Sequence, residues 1–227
     1  MMRKLAVFAL GCIIFAAFVG FSYLVDKDLF IRFDFDTTVR LQSNIPTRFD
    51  SYLSILSLIG SFEVVSLFLI GILLIRRKIV EGFFVLSGFV GFHALEIYGK
   101  LFVEHLPPPE FMIRTEKLLE FPQFHVRAEY SYPSGHAGRA AFVSTFLFLI
   151  IGQSKKLSKL QKIILLAIMG IYDMGMVVSR VSLGEHWTTD VIGGVLLGAS
   201  LALLTSLVYV GKRKQSKYRK QSRGLIS

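Results

Sequence analysis

The sequence predicts an all-α, polytopic membrane protein, a single six-transmembrane-helix bundle over residues 1–227 with both termini cytoplasmic. Three observations lead there. Hydrophobic residues fill 53% of the 227 positions, with 21 Phe among them, which is more apolar matter than one soluble core of this size needs. These residues fall into runs that, as helices, cross a hydrocarbon layer about 30 Å thick. Lys and Arg sit in short clusters between the runs. The formal charge of +10 would otherwise point to nucleic acid, but clusters at span ends read as topology signals and anionic-lipid contacts.

The first span covers residues 5–25, after a basic start at Arg3 and Lys4. A secretory signal would have a shorter apolar region closed by small residues at a cleavage site, so this run reads as a retained span. Cys12 is the lone cysteine, which removes a disulfide framework and a cysteine metal site. Residues 26–50 turn polar with scattered Phe and aliphatic positions, as an interfacial segment does, and carry no catalytic pattern. Further spans are expected at 52–75, 79–99, 135–151, 160–178 and 188–210, with a long polar loop at 101–132 broken by Pro107, Pro108 and Pro109. In the last span, Gly194 and Gly198 have the spacing that lets helix backbones approach closely.

Charge then sets the orientation. With the N-terminus inside and six crossings, Arg3 and Lys4, the cluster Arg76, Arg77 and Lys78, the Lys155 to Lys162 loop and the tail from Lys212 to Arg223 all lie on the cytoplasmic side. Residues 26–50, 99–134 and 179–187 are left outside. Every residue with candidate chemistry falls on that outer, extracytoplasmic face.

Two stretches carry the chemistry. In Tyr132-Pro133-Ser134-Gly135-His136, proline and an N-capping serine start a helix whose first turn offers unpaired N–H groups to an anion. Gly135 lets a ligand approach the backbone, and His136 is placed as a general acid. The second stretch runs from Ser179 and Arg180 to His186 and Asp190. With a helix beginning near Trp187, the i to i+4 spacing puts His186 and Asp190 on one face, where the carboxylate orients the imidazole as a nucleophile. Arg180 offers a planar fork to phosphate oxygens and Lys100 a mobile point charge. Together these residues suit in-line phosphoryl transfer without a metal or other cofactor.

At these positions the chain resembles the type 2 phosphatidic acid phosphatase superfamily. Pro133-Ser134-Gly135-His136 matches its second motif. Ser179 and Arg180, followed by His186 and Asp190, match its third. In the first motif Lys100 is in place, but the arginine expected seven residues later reads Pro107; Arg114, Arg127 and Arg139 are candidate replacements. The resemblance implies that His186 attacks phosphorus to form a phosphohistidine and that Asp190 orients it. It implies that His136 protonates the leaving alcohol and then activates water, while Lys100, Ser134, Gly135 and Arg180 hold the phosphate. The implied partner is a membrane lipid phosphate (phosphatidylglycerophosphate, undecaprenyl pyrophosphate or phosphatidic acid) met at the plasma membrane.

Simpler roles compete for single residues. Lys100 can pair with Glu96 one turn earlier, and Arg180 with Asp173 two turns back. His93, Glu96, Glu104, His105 and His125 lack the spacing of a metalloprotease site. Two other functions compete for the whole chain. An intramembrane serine protease would pair Ser134 with His186 and leave His136, Asp190, Arg180 and Lys100 idle. A lipid-phosphate binder or transporter would bind without releasing phosphate.

Overall fold

A computed structural model describes residues 2–77, 79–115 and 129–208; Arg127, His125 and the basic tail lie outside these residues. All regular structure among the described residues is helical. In chain order the α-helices are α1 (Met2–Asp26), α2 (Ile31–Asn44), α3 (Asp50–Ile59), α4 (Phe62–Arg76), α5 (Ile79–Phe102), α6 (Gly135–Gln153), α7 (Lys159–Ser182) and α8 (Thr188–Thr205). Short 3₁₀ turns at Thr47–Phe49, Glu110–Met112 and Ser206–Val208 join or extend them.

Among the described residues five helices are long and apolar enough to cross a membrane: α1, α5, α6, α7 and α8. The crossing expected at 52–75 is broken instead. Thr47–Ile59 and Phe62–Ile75 meet at 49°, and counted as one broken span they make the sixth. The break has a local cause. Gly60 ends α3, and the Ser61 hydroxyl caps α4 by accepting the Val64 N–H at 3.4 Å. Apolar residues continue on both sides, so hydropathy reads straight through the bend.

The outward faces of α1 and α7 are apolar, with Leu5, Ile13 and Val19 exposed on one and Ile164, Ile168 and Ile171 on the other, as surfaces turned to lipid are. Inside, Leu69, Val85, Phe92, Phe142, Phe146 and Leu197 form the core. The α6–α8 pair sits at its centre, and glycine sets the approach of the two helices. A Cβ on Gly198 would fall 2.0 Å from the Gly138 carbonyl oxygen, and one on Gly194 would fall 2.3 Å from that of Ser134. The close packing read from the Gly194 and Gly198 spacing is therefore realised against α6.

Above this pair lies a polar layer. The segment read as interfacial contains α2, whose Asp34 and Thr38 are buried. Asp34 accepts from the Thr189 backbone N–H at 2.8 Å and from its hydroxyl at 2.7 Å, so α2 caps the start of α8. Gln42 donates to the carbonyls of Met112 at 2.7 Å and Ser182 at 3.0 Å, which ties α2 to the loops after α5 and α7.

Gly198→Leu is expected to force α6 and α8 apart and lower the stability of the detergent-solubilised protein by about 1–3 kcal/mol. Gly20→Ala, where a Cβ meets nothing within 4 Å, is expected to stay within about 0.5 kcal/mol of wild type. Thermal unfolding of both variants checks the contrast.

Candidate active site

The loop 183–187 between α7 and α8 folds back on the end of α7. Leu183 N–H donates to Ser179 O at 2.9 Å, and the N–H groups of Glu185 and His186 both donate to Arg180 O at 3.2 Å. Gly184 makes this reversal with φ +70, and a Cβ there would fall 2.1 Å from the Met112 carbonyl oxygen. His186 stands just before the helix start, with Trp187 as N-cap of α8.

The expected pairing of His186 with Asp190 is present at 3.1 Å, from Nδ1 to Oδ2. The Trp187 backbone N–H donates to the same oxygen at 3.0 Å. Asp190 is fully buried, and its other oxygen meets Nδ1 of His105 at 2.8 Å. An ionised carboxylate only accepts, so each histidine carries a proton on Nδ1. That leaves Nε2 of His186 with its lone pair. Burial lowers the His186 pKa below its ordinary value; the bond to Asp190 opposes this, and the charges of Arg180 and Lys100 add to it. The resting imidazole is neutral.

In the sequence His105 reads as one of a set of loop histidines and residues 26–50 carry no catalytic pattern, so neither His105 nor Asp34 is marked there. His105 is 6% exposed and faces Asp34 at 3.7 Å through Nε2. Burial alone pulls its pKa down, but the Asp190 bond and the charges of Asp190 and Asp34 outweigh burial and raise it. Desolvation raises the Asp34 pKa, while its bonds to Thr189 oppose the rise. No local pattern marks these residues, because they meet Asp190 and Thr189 only through tertiary structure.

Arg180, in the last turn of α7, is 3% exposed. One guanidinium NH₂ group donates to Ser57 Oγ and the other to Glu185 Oε2. The alternative pairing with Asp173 does not form: Asp173 accepts from the Ser144 hydroxyl at 2.8 Å. Burial raises the Glu185 pKa, but Arg180 and a bond from Thr115 together hold it below the ordinary value. The Arg180 Nε–H is buried without a hydrogen-bond partner.

Ser134 occupies the N-cap position of α6, yet its side chain makes no capping bond, contrary to expectation. Its backbone N–H instead donates to the Asp190 carbonyl at 2.9 Å, which joins the starts of α6 and α8. The Ser134 hydroxyl is also buried without a partner, so no Ser134–His186 dyad exists. Gly135 lies against Glu96, whose Oε1 would be 1.9 Å from a Cβ there. Glu96 pairs with Lys100 at 3.2 Å, with Arg139 at 3.5 Å and with Nδ1 of His93 at 3.0 Å. The simple pairing of Lys100 with Glu96 is thus present. The fields of Arg180, Arg139, His186 and Lys100 all act on His136, so both motif stretches converge on one end of the bundle.

Of the candidate replacements for the missing arginine, Arg114 is committed elsewhere. It holds both oxygens of Asp50, at 2.9 and 2.8 Å, and the carbonyls of Gln42 and Ile45, each at 3.0 Å. Arg139 lies at the start of the second turn of α6, where its Nε donates to Gly60 O at 3.0 Å. The bend after α3 therefore feeds the site twice, through Ser57 and through Gly60.

Histidine titration by NMR is expected to place the His186 midpoint below the ordinary value of about 6.5 and that of His105 above it. The raised His105 pKa contributes stability that is complete below its unfolded value and is lost as pH rises through its folded value. The reverse order of midpoints would contradict the assignment of charge.

Comparison with known proteins gives the family and the fold. One relative, the phosphatidylglycerophosphatase B of Bacillus subtilis, is 37% identical over 78 residues, which are 34% of this chain and 38% of that protein. Another, the undecaprenyl-diphosphatase of Sulfolobus acidocaldarius, is 33% identical over 135 residues, 59% of this chain and 58% of that protein. The chain thus matches well under two thirds of either relative's length. The crystal structure of a transmembrane PAP2-type phosphatidylglycerolphosphate phosphatase from Bacillus subtilis superposes with a TM-score of 0.73 at 20% identity, covering 90% of this chain and 98% of that one, and so shares the fold. The family model of the PAP2 superfamily matches residues 82–214, more than half of the chain and all of the residues assigned above to both complete motifs, and the chain belongs to that superfamily.

Proposed function

We propose that this chain is a membrane lipid phosphatase that hydrolyses phosphatidylglycerophosphate, undecaprenyl pyrophosphate or phosphatidic acid through a phosphohistidine. The observation that carries the reading is the pair of buried, unpartnered donors, the Ser134 hydroxyl and the Arg180 Nε–H, beside the oriented His186–Asp190 pair. Buried donors normally have partners, and a phosphate is one that accepts from several at once.

In this reading the His186 Nε2 lone pair attacks phosphorus in line, and the bond from phosphorus to the lipid oxygen breaks. His136 gives a proton to that leaving oxygen. Asp190 holds the Nδ1 proton and balances the charge that develops on the His186 ring. Water then loses a proton to His136 and attacks the phosphohistidine; the phosphorus–nitrogen bond breaks, and its electrons return to Nε2. Arg180, Lys100, Ser134 and the Gly135 backbone hold the phosphate oxygens through charge and hydrogen bonds. Arg139 supplies the charge that the first motif lacks at Pro107. No metal or other cofactor is assigned a step.

The whole chain, 1–227, acts as one integral-membrane domain. Its termini lie in the cytoplasm and its site on the extracytoplasmic face of the plasma membrane, as the distribution of Lys and Arg favours. Its partners are the bilayer and the lipid, not nucleic acid. The names of the two relatives favour the first two substrates.

Purified protein is expected to release phosphate from at least one of the three lipids, with no loss in a chelator. His186→Ala should lower kcat by at least about 10³-fold. The rate should fall on acidification through the lowered His186 pKa, because protonation removes the attacking lone pair. Full activity in His186→Ala, or loss in the chelator, would refute the mechanism. Lipid binding with no phosphate release would favour a binder or transporter.

A further inference from the structure

The carboxylate behind His186 is shared. Asp190 gives Oδ2 to Nδ1 of His186 and Oδ1 to Nδ1 of His105, and His105 in turn faces Asp34 on α2. Asp34 also holds the backbone N–H and hydroxyl of Thr189, the residue before Asp190. One aspartate, Asp34, and one histidine, His105, are thus packed, nearly excluded from solvent, behind Asp190, the group that orients the nucleophile.

We propose that His105 is a positioning residue for the His186–Asp190 pair, and that Asp34 holds His105 in place. A carboxylate bonded only to His186 and to the Trp187 N–H could rotate about its own axis and carry the imidazole with it. The His105 bond occupies the second oxygen and removes that freedom. The raised His105 pKa agrees with a cation between two carboxylates, where it neutralises charge that the interior would otherwise carry unpaired. A cation there also draws electron density on Asp190 away from His186, which keeps His186 neutral and nucleophilic. This inference rests on the phosphatase reading of the same site for its rate consequences, but its geometry does not.

The charged groups around the chain of contacts are few and named. His105 faces Asp34 from α2, Asp190 from α8 and, farther off, Asp28 from the loop after α1. His186 faces Asp190, Arg180 and Lys100, and when protonated it acts on His136 and Glu185. Loss of His105 removes the one cation that touches Asp190 from the other side. The His186 pKa should therefore rise.

The test uses the full-length protein in detergent with three variants: His105→Leu, His105→Asn and Asp34→Asn. His105→Leu is expected to lower kcat roughly 10- to 100-fold with KM within about threefold, as misorientation of a reacting group does. Its acid limb should move to higher pH. His105→Asn, whose amide can donate to Asp190 in place of Nδ1, should recover most of kcat, and Asp34→Asn should fall between the two. Unchanged kcat and an unmoved acid limb in a folded His105→Leu would overturn the proposal, as would equal losses in the leucine and asparagine variants. A second readout needs no substrate. In histidine NMR the His186 titration should shift upward in both His105→Leu and His105→Asn, because neither side chain carries the cation, so a static His186 titration overturns the proposal even if no lipid is hydrolysed. Failure of wild type on every lipid, with the NMR shift present, would instead overturn the phosphatase reading alone.

Discussion

A carboxylate with no access to water must be surrounded by donors, and the site is built to meet that need for Asp190. Its donors come from three directions: the Trp187 backbone at the start of its own helix, His186 before that helix, and His105 from the loop after α5. Each bond constrains the element that supplies it. The turn between α7 and α8 must bring His186 back over the helix end, and the loop after α5 must pass close enough to reach the second oxygen. The His186 tautomer follows from the same constraint, because an acceptor-only partner settles which nitrogen holds the proton.

The cations of the site obey a similar logic at its edge. Arg180 shares its charge with Glu185 and Ser57, and Lys100 with Glu96. Neither cation is left bare beside the hydrocarbon region, where an unpaired charge is costly. The ion pairs of the site gather at one end of the bundle, over a core of Phe, Leu and Val and an α6–α8 contact that at Gly194 and Gly198 is too close for any side chain larger than hydrogen.

Much of this was legible in the sequence. Runs of apolar residues located five of the spans to within a few positions, because transfer to hydrocarbon depends on composition alone. The pairing of His186 with Asp190 was legible because an i to i+4 spacing at a helix start is itself the geometry. The bend after α3 was hidden because Gly60 and Ser61 lie inside an unbroken apolar pattern. The Glu185 partner of Arg180 was hidden because helical spacing offers Asp173 as the simple alternative, whereas the reversal at Gly184 brings Glu185 back. Asp34 and His105 were illegible for a plainer reason: their partners lie far along the chain, and no local rule encodes a contact that only packing creates. Ser134 shows the same limit in reverse, since it stands at the N-cap position and leaves the cap unmade.

The bond between Asp34 and Thr189 spans 155 positions of the chain. Synthesis begins at the N-terminus, so Asp34 enters the membrane boundary long before its partner exists. Until α8 is made and inserted, Asp34 has no helix end to cap and His105 has no Asp190 to orient. The contacts of Asp190 and Thr189 therefore cannot form before α8 is made. A chain stopped after α7 holds five-sixths of the expected crossings and one of the two histidines named as reactive, yet none of the Asp190 contacts. Contacts of such long range are the slowest to form, which ties the appearance of chemistry to completion of the whole bundle.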